Sequence, residues 1–335
     1  MNDKKNFTIN NFENISTIST IEGHEAGVFG VIFSKDGKYI ASCSKDQTIR
    51  LWDANNYKQI KVLTGHNGSV FSICFFPYSK RLASCSEDNT IRIWDIEQGN
   101  EILCLRGHTN KVMGLCVSLD EKFLVSGSYD KTIRIWDINT GENLKILNGH
   151  TWLIENICLS TNGKIIASCS WDKSIRLWNL EKGNNILVVQ GEGSGDAPML
   201  IDIFNMVSLK SVSTNGHNYA INCVNFAPDD QYMVSCSVDK TIRLWSVTSG
   251  DELKVFRGHN KSVLKVRYFG NNYLLSCSMD NTIRFWDINI ANEIGRLYAH
   301  EETIWSFDFS MDYTNLATAS EDKTIRIWNI NGIFN

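Results

Sequence analysis

Apolar residues in this chain come in short bursts. Runs of 5–7 residues, rich in Val, Ile, Phe and Trp, are separated by Asp, Asn, Gly, Ser and Lys. Their length, their β-branched and aromatic content and that punctuation predict strands rather than helices. The stretch after Gly65-His66 is typical. VFSICFF (70–76) reads as a first strand, and Pro77, Tyr78, Ser79 and Lys80 as a turn. RLASCS (81–86) is a second strand, Asp88-Asn89 a tight turn, and TIRIWDI (90–96) a third strand. A turn at 97–100 leads to EILCLRG (101–107), the fourth. No stretch of ten or more residues carries the helical period, and the chain has only three prolines.

This four-strand phrase recurs seven times. Its signature reads SCSKDQTIRLWD from Ser42, SCSEDNTIRIWD from Ser84, SGSYDKTIRIWD from Ser126, SCSWDKSIRLWN from Ser168, SCSVDKTIRLWS from Ser235, SCSMDNTIRFWD from Ser276 and TASEDKTIRIWN from Thr318. The tryptophans of these segments are spaced 42, 42, 42, 67, 41 and 42 residues apart, and six Gly-His pairs and one Ala-His keep the same beat. Length alone, 335 residues, suggests about two domains. The period overrides that, because repeats of one supersecondary unit bury their faces against each other. Seven units of four strands predict an all-β fold, a single seven-bladed propeller with four antiparallel strands per blade. The units fall at about 24–63, 66–105, 108–147, 150–191, 217–256, 259–297 and 300–330. After Trp328 too little chain remains for a fourth strand. NISTISTIEG (14–23) aligns with the fourth strands KQIKVLTG and NEILCLRG, and is expected to complete the last blade. Closing the ring in this way removes the open sheet edges that invite aggregation. The 67-residue interval holds an insertion at 192–215, between blades four and five. It begins as a Gly/Ser/Asp/Pro loop and continues as MLIDIFNMVSL, an apolar stretch suited to docking on the ring or on a partner.

Composition changes the picture mainly by exclusion. With 43% hydrophobic and 21% charged residues the chain reads as an ordinary globular protein. A net charge of −4 argues against a nucleic-acid footprint. No apolar run approaches the length of a membrane span, and MNDKKNFTINN lacks the apolar core of a secretory signal. The expected location is therefore intracellular, cytoplasmic and/or nuclear. Of ten cysteines, Cys43, Cys85, Cys169, Cys236 and Cys277 fall at one repeat position, where Gly127 and Ala319 stand in the other two units. That slot asks for a small side chain, and Cys fills it as a small hydrophobe with a free thiol. No C-x-x-C spacing occurs, so no zinc site is expected, and no other metal or cofactor is indicated.

The recurring G-H…S-x-x-x-D-x-x-x-x-x-W-D pattern resembles that of the WD-repeat β-propeller family, over essentially the whole chain and without pointing to a subfamily. The resemblance implies a buried hydrogen-bonded tetrad in each blade. The seven sets are His24, Ser42, Asp46 and Trp52; His66, Ser84, Asp88 and Trp94; His108, Ser126, Asp130 and Trp136; His150, Ser168, Asp172 and Trp178; His217, Ser235, Asp239 and Trp245; His259, Ser276, Asp280 and Trp286; and His300, Thr318, Asp322 and Trp328. A Ser/His/Asp grouping also suggests a hydrolase, but catalysis needs one set in a cleft and seven copies cannot each be one. No catalytic residue is expected. Arg50, Arg92, Arg134, Arg176, Arg243, Arg284 and Arg326 share one strand position and read as structural, packing or pairing between blades.

Residues that break the repeat carry the individuality of this chain. In the resembled family, two positions per blade face the top opening, where partners bind. One lies five residues after the His: Phe29, Phe71, Met113, Glu155, Asn222, Leu264 and Trp305. The other immediately precedes the tetrad Asp: Lys45, Glu87, Tyr129, Trp171, Val238, Met279 and Glu321. Nine of the fourteen are aromatic or large and apolar, as an interaction site would be. The expected function is a non-enzymatic scaffold or adaptor, a monomeric propeller within a hetero-complex that binds a partner's peptide or loop on its top face. Glu25, Glu87, Glu301, Glu302 and Glu321 near Phe29, Phe71 and Trp305 suit an Arg or Lys of that peptide inserted between Phe29 and Phe71. The alternatives are a structural subunit that uses its blade sides or bottom face, and an enzyme or small-molecule binder in the central channel.

Overall fold

Each period folds into one antiparallel sheet, in a computed structural model that describes residues 15–191, 210–213, 216–331 and 333. Blade one runs from the ring axis outward as Val28–Phe33, Tyr39–Ser44, Ile49–Asp53 and Gln59–Leu63. The second unit forms strands at Val70–Phe75, Arg81–Ser86, Ile91–Asp95 and Glu101–Leu105, the second run as expected and the other three trimmed by one or two residues. Burial shows why the phrase is so regular. Second and third strands are nearly all buried, whereas the outer strand is largely open to solvent, as in Gln59–Leu63, where only Leu63 is buried. A one-faced strand can only be the edge of a blade.

The ring closes as expected. Ser16–Ile21 pairs antiparallel with Ile325–Asn329, placing Ile21 opposite Ile325 and Ser16 opposite Asn329. The last blade is therefore built from both ends of the ring, with the N-terminal strand outermost.

The hydrophobic core is divided into clusters that sit between neighbouring blades. At the closing seam, Ile21, Val28, Val31, Ile40 and Trp52 pack on Ala317, Ala319, Ile325 and Ile327. The same arrangement fills the gap between blades one and two, with Cys43, Ile49 and Leu63 against Val70, Leu82 and Trp94. Each repeat tryptophan thus covers the preceding blade. The small-residue slot faces into these gaps. A Cβ on Gly127 would lie 2.8 Å from methyls of both Ile154 and Ile157 on the next blade. Cys43, Cys85, Cys169, Cys236 and Cys277 occupy that slot fully buried, and burial pushes their thiols far above the usual range. All ten cysteines are free.

The insertion at 192–215 lies outside the described residues except for Lys210–Ser213. That segment adds a fifth strand to blade four, parallel to Asn185–Gln190 at its outer edge. KSVS is too short and too polar to be recognised as a strand from its residues alone.

Candidate functional site

Two sets of polar residues recur or converge, and only one is reachable from solvent. The buried set is the tetrads. In blade one, Trp52 Nε1–H donates to Ser42 Oγ at 2.9 Å, Ser42 Oγ lies 2.8 Å from His24 Nε2, and His24 Nδ1 lies 2.7 Å from Asp46 Oδ2. An indole N–H can only donate, which leaves the Ser42 hydroxyl hydrogen for His24 Nε2, while His24 Nδ1–H faces the carboxylate. All seven blades repeat the chain, with His–Asp distances of 2.7–2.9 Å and Trp–Ser or Trp–Thr distances of 2.8–3.0 Å. The expected members are all present, Thr318 included.

A fifth member escaped the sequence reading. Thr48 Oγ1 donates to Asp46 Oδ1 at 2.6 Å, and the backbone N–H groups of Thr48 and Glu25 also bond the carboxylate. Thr90, Thr132, Ser174, Thr241, Thr282 and Thr324 repeat the hydroxyl contact. The signal was present as D-x-[T/S] in every unit, but those hydroxyls were read as the start of a strand. Burial alone would raise these carboxyls. Hydrogen bonds from the His and from the Thr or Ser outweigh it and hold Asp46, Asp88, Asp130, Asp172, Asp239, Asp280 and Asp322 well below the ordinary 3.8. Burial pushes His108, His150, His217 and His259 down from 6.5, against the pull of their Asp partners, which keeps those imidazoles neutral. Closed in this way, the tetrads tie each inter-blade loop to the turn of its own blade.

Four of the seven repeat arginines pair within their own blades rather than between blades, while Arg326 donates to the Ala299 carbonyl in the loop before its blade, at 3.1 Å. Arg50 Nη1 donates to Gln59 at 2.6 Å, Arg284 to Glu293 at 2.6 Å, and Arg92 and Arg243 bond Glu101 and Glu252. The partner is nine residues on because the antiparallel outer strand returns beside the third strand. This packing also explains Gly-His. A Cβ on Gly65 would sit 2.9 Å from Arg92 Nη1 and 3.1 Å from Trp94.

The reachable set lines a funnel of about 680 Å³ on the face that carries the His loops and the Asp turns. Of the fourteen repeat-breaking positions, thirteen line it: Phe29, Lys45, Phe71, Met113, Tyr129, Glu155, Trp171, Asn222, Val238, Leu264, Met279, Trp305 and Glu321. Glu87 stands just outside, accepting from Lys111 and from Ser69 Oγ at 2.9 Å. Glu25, Glu301 and Glu302 are exposed loop residues and do not line the funnel. Phe29 stacks on Phe71 with ring centroids 5.5 Å apart and meets Trp305 edge-on at 5.3 Å. Two rings in contact leave no slot for a guanidinium, so the expected insertion of a cation between Phe29 and Phe71 requires the pair to part. The carboxylates of the funnel are also engaged. Glu155 Oε2 accepts from Tyr129 Oη and from Trp171 Nε1, each at 3.0 Å, and burial raises its carboxyl. Glu321 Oε2 accepts from Trp305 Nε1 at 2.7 Å.

Below the mouth lie charges that the sequence reading did not find. Lys265 projects into the funnel and donates to Ser306 Oγ at 2.9 Å. One layer deeper, Arg267 bonds Asp308, whose other oxygen accepts the Phe33 backbone N–H at 2.9 Å and so links blades six, seven and one. Two exposed aromatics at the rim were also missed, Trp152 and Tyr219, each two residues after a tetrad His. Comparing the repeats at that position would have found them, because the other units carry Ala, Gly, Asn, Lys or Glu there.

Comparison with known proteins agrees with this geometry. The family described as WD domain, G-beta repeat, matches seven times, at 15–53, 57–95, 99–137, 141–179, 209–246, 250–287 and 291–329. Similar proteins include a Notchless protein homolog of Arabidopsis thaliana, 36% identical over 67 residues, which are 20% of this chain and 14% of that protein. The nuclear distribution protein PAC1 of Coccidioides posadasii is 34% identical over 130 residues, 35% of this chain and 28% of that protein. Subunit 5 of the transcription initiation factor TFIID of Caenorhabditis elegans is 31% identical over 48 residues, 14% and 7% of the two chains. The chain therefore matches less than a third of the length of each of these relatives.

Proposed function

The chain belongs to the WD40 family of WD-domain, G-beta repeats, and from that premise we propose that it is a non-catalytic platform for protein–protein assembly, docking a partner's peptide or loop in its top-face funnel. The observation that carries this reading is convergence. Thirteen positions scattered over seven repeats, free to vary because the fold does not use them, meet in one concave, mostly apolar site. Pockets of that kind, with a few polar groups among aromatics, are where ligands and partner anchors bind. The tetrads support it indirectly, since a ring pinned at seven places presents the rim without a large ordering cost on binding. A relative named as a complex subunit fits the same role. Ten free cysteines, none of them in a disulfide, suit a reducing intracellular setting, cytoplasmic and/or nuclear. Among the described residues no helix is long and apolar enough to cross a membrane.

The test is comparative affinity capture from the native cell, read by mass spectrometry, with wild type beside a Phe29→Glu/Trp305→Glu variant. Both residues are partly exposed at the funnel mouth, so the variant is expected to melt close to wild type. Partners that disappear with the folded variant support top-face docking. An unchanged partner set contradicts it and favours the blade sides or the bottom face.

A further inference from the structure

The charges of the funnel are not balanced in the way the sequence alone suggests. Five ionisable side chains with full charges line it: Lys45, Lys111 and Lys265 against Glu155 and Glu321. Each carboxylate is already occupied by indole or phenol donors. Lys111 is neutralised by Glu87 at the rim. Lys265 is the deepest of the three lysines, and among the described residues no carboxylate pairs with it.

Lys265 owes its position to an irregularity of the inner strand. The pairing with the second strand slips at the same place in every blade, in blade six between Val263 and Lys265. Such a bulge turns two consecutive side chains to the same side, so Leu264 and Lys265 both line the funnel. The ammonium has one hydrogen-bond partner among the described residues, Ser306 Oγ, and lies 5.7 Å from the centre of the Phe307 ring. Among the described residues no carboxylate forms an ion pair with it. Burial, assisted by the charge of Arg267 below, lowers its pKa from 10.5 to about 8. An ammonium held this way at the base of an apolar collar is a counter-charge without a counter-ion, and two of its three donor positions are open.

We propose that the funnel takes a carboxylate side chain, Asp or Glu, from the docked peptide, with Lys265 as its ion partner and the Phe29, Phe71, Met113, Leu264 and Trp305 collar covering its methylene stem. This rests on the top-face reading above and adds the chemistry of the guest. It also reverses the cationic guest expected from the sequence. A guanidinium entering at this depth would face the Lys265 ammonium, which has no ion-pair partner among the described residues. A carboxylate would gain a charge-assisted bond in a site from which water is partly excluded.

The experiment is selection of a random heptapeptide library on the immobilised intact protein, followed by fluorescence polarisation of the enriched peptides. Wild type is compared with Lys265→Met, Lys265→Arg and the Phe29→Glu/Trp305→Glu variant, all checked for melting temperature. Wild type should enrich one acidic position. Replacing that residue by Gln or Asn in the peptide, or Lys265 by Met in the protein, should weaken binding roughly tenfold to hundredfold. Lys265→Arg should keep the acidic preference. Peptides that depend on Phe29 and Trp305 but carry Arg, Lys or no charge at the buried position overturn the carboxylate while leaving top-face docking intact. Peptides indifferent to both the rim and the Lys265 variants, or no enrichment at all, count against docking itself.

Discussion

A chain starting at residue 23, without the closing strand, should be far less stable than the full protein and should aggregate on mild heating. The strand Ser16–Ile21 contributes two things to the last blade. It pairs with Ile325–Asn329 through five residue pairs, and it places Ile21 in the cluster that joins the last blade to the first. At about 1 kcal/mol per net hydrogen bond and about 2 kcal/mol for a buried Ile, the direct loss is roughly 5 kcal/mol. That rivals the whole stability of many domains. The indirect loss is the ring itself, because Ile325–Asn329 becomes an open, apolar edge beside a gap where Trp52 was covered. Urea titration followed by Trp fluorescence measures the loss, and size-exclusion chromatography detects association. Adding a peptide of residues 15–23 should restore part of the midpoint in proportion to its concentration. Equal midpoints for the two chains would mean that the strand does not seal the ring.

The second large effect concerns the tetrads. His150→Ala removes the imidazole between Ser168 and Asp172, whose side chain is only 6% exposed. A buried carboxylate then loses its main donor, and the cavity left by the ring adds to the loss. The expected cost is about 3–5 kcal/mol. Trp178→Phe keeps most of the packing and removes one N–H bond, so about 1–3 kcal/mol is expected. The same network sets the pH response. The seven Asp have folded-state pKa values below their unfolded value, as do His108, His150, His217 and His259. In both cases the unfolded chain binds more protons than the native one, so stability falls as pH falls. The decline should begin as pH drops below about 6.5, where unfolded His protonates, and steepen below about 4, where unfolded Asp does. Melting temperatures recorded from pH 8 to 3 check the sign. A wild-type melting temperature that rises on acidification, or a His150→Ala variant within about 1 kcal/mol of wild type, would contradict this role for the tetrads.

Most of this architecture was legible because repetition reports it seven times over. The four strands, the His, Ser, Asp and Trp of each tetrad and the closing strand all follow from a fixed beat. The mouth of the funnel was legible through the family resemblance, which implies two top-facing positions per blade; Phe29, Trp171 and Trp305 stand at those positions. What was missed has local causes. Simple alternation along the inner strand puts Lys265 on the opposite side from Leu264, and the bulge that every inner strand carries, here after Val263, turns it into the funnel. Stacking of Phe29 on Phe71 and capture of Glu155 and Glu321 by indoles are contacts across blades or between turns. The stack crosses blades, whereas each indole–carboxylate pair joins two positions 16 residues apart in one repeat, a pairing that the strand pattern does not reveal. The arginine partners were misplaced because pairing depends on which strand returns beside the third, a fact of sheet order rather than of sequence period.

Top-face docking itself is tested most directly by hydrogen exchange on the complex between wild-type protein and the partner it captures. Protection gained on binding should fall on the loops and inner-strand tops around 24–30, 66–72, 108–114, 150–156, 217–223, 259–265 and 300–306, with the outer strands unchanged. Protection confined to outer strands such as Gln59–Leu63 and Glu101–Leu105, with the funnel residues exchanging as in the free protein, would contradict it and make the blade sides the binding surface.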